Sequence, residues 1–228
     1  MDLMQLYKTN DTEPIFSTLD RYRTELHEHP LLVAARSGQI ERATLIRFAY
    51  YQYADSITWI PMLAQMKSKA LRSRRLRKAI EDNIAHEAGL GGTSHVLLAA
   101  QLMRSLGLRG LDGLPTDGIV RTAGLWLTDA FTQMTEPALA GWLLTAETLV
   151  PELFAQMAPQ YAELPGADTT YFSEHVHVDS DEHAAWMAEA VTEVVALYGP
   201  DCVPAVLEGM ADAWAETLED PSELWGTR

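Results

Sequence analysis

Histidines and carboxylates that could ligate a metal ion occur at three separate places in the chain. Glu87 and His95 flank a short turn rich in glycine, so the two helices joined by that turn can each direct one ligand at a common point. Glu147 stands inside a strongly apolar stretch, AGWLLTAETLVPELF. Burying a lone carboxylate is costly, so a buried Glu147 would require a bound cation or another partner. The alternative is that Glu147 lies on the solvent-exposed face of an amphipathic helix.

The third group lies in the stretch YFSEHVHVDSDEHAAWM, residues 171–187. His175, Asp179 and His183 follow one another at intervals of four, so each is displaced by only about 40° around a helix from the one before it. His177 points about 200° away from His175 and cannot serve the same site without distortion of the backbone. A single histidine on a helix is more typical of a polar surface group. The combination on separate helices indicates a site.

The types of ligand narrow the choice of metal. Imidazole and carboxylate without thiolate favour iron or manganese over structural zinc, and six protein ligands suit two ions better than one. A ferritin-like site would need a Glu-x-x-His spacing on each of two helices. Only Glu174 and His177 have that spacing, and they face away from the stripe, which disfavours a ferritin-like bundle.

The elements that must position these residues are helices, because apolar residues recur at intervals of three and four and β-branched alternation is nearly absent. Pro14 suits a first helical turn, and Pro61 predicts a kink inside a long helix. No repeat or low-complexity linker divides the chain, so we expect an all-α fold with a single helical domain over 1–228. The predicted helices cover 14–28, 31–36, 40–68, 71–88, 94–106, 117–134, 137–163, 169–198 and 201–217.

Composition limits the possible partners. The 228 residues include 32 acidic and 17 basic side chains, and a net charge of −15 argues against binding to nucleic acid or to an anionic membrane. The stretch from Lys67 to Lys78 holds seven of the bases and no acid; it is either a docking strip or a solvated face that balances the acidic surface. The N-terminal sequence lacks the features of a signal peptide, which predicts a cytoplasmic protein.

The order of these residues resembles the haem-oxygenase-like di-iron oxidase and oxygenase superfamily. The resemblance rests on the pattern Glu87, His95, Glu147, His175-x-x-x-Asp179 and His183, and on the segments HPLLVAARSGQIERATLIRFAYYQY and IAHEAGLGGTSH. It spans residues 30–190, and its individual motifs are degenerate. The spacing of the last motif is most similar to that of members acting on amino acids, such as the isoleucine desaturase/cyclase of polyoxin formation and the nitrile-forming tryptophan enzyme.

The resemblance implies a bundle of about seven core helices that holds two non-haem irons and activates O2. The ligands that it implies are Glu87, His95, Glu147, His175, Asp179 and His183. It further implies a small amino-acid substrate, C–H abstraction leading to desaturation, cyclisation or rearrangement, and a role in natural-product biosynthesis. An external electron donor and a homodimer belong to the same expectation.

The chain departs from the family pattern at two positions. The last histidine of the family stands three residues after the aspartate, where this chain has Glu182, and His183 follows one residue later. A π-bulge near Ser180 would absorb the extra residue and keep His183 as the ligand; otherwise Glu182 replaces it. An additional carboxylate, which some members carry on an early helix, has no clear counterpart, although Asp55 and Glu81 are near its position.

Two other functions remain open on the sequence. A metal-free enzyme of the thiaminase-like or cofactor-oxidase-like branch shares the scaffold, but the thiaminase-like route needs a reactive cysteine, and Cys202 between two prolines suggests a structural position. The chain could also be a non-enzymatic helical binding protein whose histidines and acids do not converge.

Overall fold

The protein is a bundle of α-helices in a computed structural model that describes residues 7–90, 92–108, 133–176 and 183–225, with side chains up to Thr217. This part of the chain contains no β-strand, which confirms the predicted all-α class. Its helices are α1 (Glu13–Glu28), α2 (Pro30–Arg36), α3 (Arg42–Lys69), α4 (Arg74–Glu87), α5 (His95–Ser105), α6 (Glu136–Ala162), α7 (Thr170–Glu174), α8 (Ala184–Tyr198) and α9 (Val203–Trp225). A 3₁₀ turn, Pro200–Cys202, precedes α9. The predicted helix over 117–134 lies outside the described residues.

Local chemistry accounts for where several helices begin. Pro14 occupies the first turn of α1, where a missing backbone N–H costs nothing. The Ser73 hydroxyl accepts a hydrogen bond from the backbone N–H of Leu76 at 3.0 Å and caps α4. Thr135 caps α6 in the same way, through the N–H of Ala138 at 3.4 Å. The two caps fix the starts of α4, which ends at Glu87, and of α6, which carries Glu147.

The α6 helix forms the centre of the bundle. All of its residues from Glu136 to Leu149 are buried, because it is apolar all round and packs against α8 and α9. Its contact with α9 is close at two glycines. A Cβ on Gly141 would collide with the carbonyl oxygen of Val206, and one on Gly209 would collide with that of Ala138. Glycine at these positions lets the two backbones approach, which places Glu147 deep in the molecule.

The α6 helix is also long and apolar enough to cross a membrane, judged by length and composition. However, 83% of its most apolar window is buried inside the bundle, as is typical of a core helix. In the described part of the chain, α8 and the segment Pro200–Thr217 also meet these criteria of length and composition when they are taken together. The two are bent by 119° relative to each other.

The α3 helix continues through Pro61 and packs against α4 and α5. The described residues of the predicted helix over 169–198 are helical at 170–176 and at 183–198. The structure has α7, then π-helical geometry at His175 and Val176, and again at His183 just before α8. Residues 177–182, with the predicted bulge at Ser180, lie outside the described residues. The extra residue of a π turn widens the helix on both sides of this gap.

Three of the seven bases in the stretch from Lys67 to Lys78 form ion pairs with acids among the described residues. Lys67 pairs with Glu81 at 3.0 Å, and Lys78 pairs with Asp82 at 2.6 Å. Arg75 pairs with Glu189, and Arg72 lies over the ring of Tyr198. These pairings match the interpretation of a solvated face that balances nearby acids.

Candidate metal centre

Glu87 and His95 meet at the turn between α4 and α5. Glu87 is the last residue of α4 and His95 the first of α5, and both side chains are buried. The Glu87 Oε2 atom lies 2.9 Å from His95 Nδ1. Gly89 makes the turn possible, since its φ of +84° is unfavourable for other residues and a Cβ there would collide with the backbone of Ser94. The turn therefore brings one carboxylate and one imidazole together.

His175 completes a group of three buried ligands. One ligand atom from each of Glu87, His95 and His175 lies within 4.8 Å of the other two. The His175 Nδ1 atom is 2.7 Å from the carbonyl oxygen of Tyr171, to which it donates, so Nε2 is left to face the group. Burial, followed by the proximity of His95, holds the pKa of His175 well below its usual range. His175 is therefore neutral, which is the form that ligates metals.

Glu147 and His183 form a second buried pair. The Glu147 Oε2 atom lies 3.2 Å from His183 Nδ1, and Glu147 is only 7% exposed. The alternative that Glu147 lies on a solvent-exposed helix face is therefore wrong. The second oxygen, Oε1, accepts a hydrogen bond from the side-chain amide of Asn83 on α4. This contact fixes the orientation of the Glu147 carboxylate.

One cavity, which we call cavity A, connects the two groups. Glu87, Glu147 and His175 all line it, so Glu147 and His175 face the same space as the sequence analysis requires. Its volume is about 470 Å³, including solvent at its mouth. The remaining lining residues are Gln52, Asp55, Ser56, Trp59, Ala146, Val150, Pro151, Phe154 and Tyr171.

The structure places five of the six predicted ligands at this site, namely Glu87, His95, Glu147, His175 and His183. The sixth, Asp179, lies outside the described residues, as does Glu182. His183 is 1% exposed and contacts Glu147, so its side chain lies at the site. This position is compatible with His183 as the last histidine ligand.

Sequence reasoning missed two residues of this site. His86 lies with its ring centroid 4.8 Å from that of His95 and 5.2 Å from that of His183, so it stands between the two groups. Burial, followed by His95 and His183, lowers the pKa of His86 to about 4. Asn83 is the other missed residue. Its spacing of four from Glu87 is the signal that could have identified it, because the two share one face of α4.

Of the two candidates for an additional carboxylate, Asp55 on α3 faces cavity A and Glu81 does not. Burial and the nearby charge of Glu87 raise the pKa of Asp55 to about 7. Glu81 instead pairs with Lys67 at the surface. Asp82, the residue after Glu81, likewise pairs with a surface base, Lys78.

A second cavity, cavity B, adjoins cavity A. It has a volume of about 560 Å³, again including solvent at its mouth. The two cavities share six wall residues: Gln52, Asp55, Trp59, Ala146, Val150 and Phe154. Trp59 lines both cavities, whereas Phe172 is fully buried and is not among the described lining of either. Cys202 lines neither cavity among the residues described for them, which leaves the thiaminase-like route without a nucleophile there.

The donor set fits a metal centre that uses oxygen and nitrogen ligands. The Glu87, His95 and His175 group provides a carboxylate and two imidazoles in a buried space, and Glu147 with His183 provides another carboxylate and imidazole beside it. Such ligands suit iron or manganese. An all-α bundle that brings carboxylates and histidines from several helices together in its interior has the arrangement of a helical metal-binding protein.

Comparison with known proteins specifies the family. A family model described as an iron-containing redox enzyme matches residues 42–216, and the chain belongs to this family. This finding confirms the resemblance to the haem-oxygenase-like superfamily. No curated protein sequence matches the chain.

Solved structures with the same fold include a CADD-like protein of unknown function from Nostoc punctiforme. One crystal structure of it superposes with a TM-score of 0.73 at 18% identity and covers 95% of this chain and 97% of the other. A second crystal structure gives a TM-score of 0.68 at 16% identity, with coverage of 92% and 94%. At this level of identity the likeness establishes the fold alone.

Proposed function

We propose that this protein is a non-haem di-iron enzyme that activates O2 to oxidise a small amino acid. The observation that carries the proposal is the arrangement of two carboxylate–imidazole pairs, Glu87 with His95 and Glu147 with His183, beside one cavity that His175 also lines. The family of iron-containing redox enzymes supports iron as the metal. The second iron, O2 as the oxidant and the amino-acid substrate belong to the proposal.

Each half of the site would hold one iron. Glu87, His95 and His175 would bind the first, and Glu147 and His183 the second, with Asp179 as the further ligand implied by the resemblance. Bound iron would supply the electrons that reduce O2 and the oxidising power to remove a hydrogen atom from a C–H bond. Carboxylates suit this chemistry because they can bridge two ions or move between one and two contacts.

The residues around the ligands would orient them and exclude water. The carbonyl of Tyr171 fixes the tautomer and ring orientation of His175. The amide of Asn83 holds the Glu147 carboxylate. On the cavity side, Phe154 and Trp59 form an apolar wall that would protect the oxidised site from solvent. An external electron donor, a homodimer and a cytoplasmic location are further parts of the proposal.

Screening for substrate-dependent O2 consumption would test the function. The iron-loaded protein is mixed with each of the twenty common amino acids, and O2 uptake is followed with an electrode. We expect one or a few amino acids to accelerate uptake strongly over the substrate-free rate. The same amino acids should have no such effect on the Glu147→Ala variant, while Glu163→Ala, an exposed control at the end of α6, should behave as the parent protein.

Different outcomes of this screen would contradict the proposed substrate class and the proposed metal centre. Iron-dependent O2 uptake that no amino acid accelerates would contradict the substrate class but retain the metal centre. Equal uptake by the parent protein and the Glu147→Ala variant would contradict the assignment of the site itself.

A further inference from the structure

The wall between cavities A and B, which we call the shared wall, combines polar and apolar side chains. Its two polar members are Gln52 and Asp55. Both stand on one face of α3 with Trp59, at positions i, i+3 and i+7. The apolar members of the shared wall are Trp59, Ala146, Val150 and Phe154.

The side chains of Gln52 and Asp55 have no partner within the described part of the chain. Gln52 is only 7% exposed, yet no described residue donates a hydrogen bond to its side-chain amide or accepts one from it. The Asp55 carboxylate likewise has neither a hydrogen-bond donor nor a cation beside it among the described residues. Buried polar groups in folded proteins nearly always have partners. These two groups therefore indicate a ligand.

Ser56, on the same face of α3, shows the contrast. Its hydroxyl donates to the backbone carbonyl of Gln52 at 2.8 Å and lies 3.2 Å from the hydroxyl of Tyr171. The protein itself thus satisfies the Ser56 hydroxyl, but it leaves the neighbouring carboxylate and amide to face the two cavities.

The two polar groups complement the two ends of an amino acid. A carboxylate only accepts hydrogen bonds, whereas a carboxamide donates through its NH2 group. Asp55 can therefore form a charge-assisted hydrogen bond with an ammonium group, and Gln52 with a carboxylate. Residues three apart on a helix have Cβ atoms about 5–6 Å from each other, so one small molecule can contact both. The apolar members of the shared wall suit an apolar side chain.

We propose that Asp55 and Gln52 bind the α-ammonium and the α-carboxylate of an amino acid whose side chain is apolar. That side chain lies against Trp59 and Val150 of the shared wall. The charge of Glu87 acts on Asp55, so the ammonium end lies beside the metal centre. The inference rests on the proposed function for the reaction, but the recognition that it describes does not require iron.

Thermal unfolding of the metal-free protein with each of the twenty common amino acids would test the proposed substrate class. We expect amino acids with apolar side chains to raise the Tm by about 3–6 °C at ten times their Kd. Aspartate, glutamate, lysine and arginine should leave it unchanged, because the apolar members of the shared wall offer their charged side chains no partner. No rise with any amino acid at about 10 mM, or an equal rise with those four, would overturn the proposal.

Calorimetric titration at pH 8 would then assign the two ends of the ligand. The metal-free protein is titrated with the amino acid that gives the largest rise, with its analogue lacking the ammonium group and with its analogue lacking the carboxylate. Each analogue should bind at least about tenfold more weakly, because each loses one charge-assisted hydrogen bond. An analogue that binds as tightly as the amino acid would overturn the role of the residue assigned to its missing group.

Two variants should affect opposite ends of the ligand. Asp55→Asn should weaken the amino acid and the carboxylate-free analogue about tenfold and leave the ammonium-free analogue unchanged. Gln52→Met, which retains the length of the side chain, should weaken only the two ligands that carry a carboxylate. Glu41→Gln is the control, since Glu41 is exposed at the start of the same helix and its side chain caps nothing.

The pattern across ligands separates recognition from a general effect on the shared wall. If Asp55→Asn or Gln52→Met weakened all three ligands equally, or none of them, the assignment of that residue would be wrong. Each variant decides its own end of the ligand, so one that does not fold leaves the other decisive. Loss of amino-acid binding with Fe(II) binding intact would contradict this recognition alone, whereas loss of Fe(II) binding would contradict the di-iron site.

Discussion

Glu147 shows how far a single residue could be interpreted from the sequence. Its position in an apolar stretch indicated that a buried carboxylate needs a partner, and the structure places it 3.2 Å from His183 and beside Asn83. The partners themselves were harder to find. Asn83 is not a usual metal ligand, and His86 stands directly beside Glu87, so neither fitted a ligand spacing that could be recognised without the fold.

Asn83 should act through Glu147. Removing its amide in Asn83→Ala would free one oxygen of the Glu147 carboxylate, so we predict that the affinity for Fe(II) falls by about tenfold, as is common when a residue that orients a ligand is lost. Anaerobic competition with a chelator would measure it. Asp82→Ala, the neighbouring residue that pairs with Lys78 at the surface, is the control and should leave the affinity unchanged. Equal affinities for all three proteins would contradict this role.

Asp55 predicts a pH dependence in the metal-free protein. Burial and the charge of Glu87 raise its pKa from 3.8 to about 7. The folded chain therefore holds this proton more tightly than the unfolded chain, and the contribution of Asp55 to stability is lost as the pH rises from about 4 to about 7. Asp55→Asn should raise the Tm by several degrees at pH 8 and change it little at pH 4. Thermal unfolding in EDTA, followed by circular dichroism, would measure the change in Tm at each pH. Equal changes at pH 8 and pH 4 would contradict the prediction.

At the scale of elements, helix starts could be predicted because they depend on local chemistry. Apart from α8, which begins inside the helix predicted over 169–198, every described helix begins within three residues of its predicted start, as at α1, where Pro14 stands in the first turn. The helix predicted over 169–198 left open whether a π-bulge near Ser180 interrupts its regular geometry. The structure has π-helical geometry at His175, Val176 and His183. Such geometry depends on which side chains must face the site, and periodicity alone does not show it.

The close contact between α6 and α9 should be sensitive to a single methyl group. A Cβ at position 209 would collide with the backbone carbonyl of Ala138, and neither backbone can move without displacing buried side chains. We predict that Gly209→Ala destabilises the protein by about 1–3 kcal/mol, as overpacking does. This corresponds to a fall in Tm of about 2–4 °C per kcal/mol for a chain of this size.

Gly92→Ala is the matched control for that measurement. Gly92 has open space around its Cα, so adding a methyl group should leave the Tm nearly unchanged. If Gly209→Ala unfolds at the same temperature as Gly92→Ala, the two helices are not as closely packed as the structure shows.

At the scale of the whole molecule, the candidate ligands come from helical segments that are far apart in the chain. Glu87 and His95 belong to α4 and α5, Glu147 to α6, and His183 to the start of α8. The residue types on separate helices indicated a site, but the complete set of ligands came from the family resemblance, since periodicity assigns faces to helices but does not say which faces meet. Packing around α6 provides that information.

Because the ligands join separate helices, iron should stabilise the whole bundle. A ligand that binds only the folded state at about 100 times its Kd adds about 2.7 kcal/mol of stability. For a chain of this size the Tm should rise by roughly 5–10 °C. Anaerobic differential scanning calorimetry with and without Fe(II) would measure this rise. The Glu147→Ala variant should show little of it, and a parent protein with no rise would contradict binding between helices.

The number of irons bound per chain tests the central claim most directly. Anaerobic titration of the metal-free protein with Fe(II), followed by calorimetry and by metal analysis after gel filtration, gives this number. We predict saturation near two irons per chain in the parent protein and loss of most of that binding in Glu147→Ala, with Glu163→Ala unchanged. Saturation at one iron, or the absence of binding, would contradict a di-iron centre built from Glu87, His95, Glu147, His175 and His183.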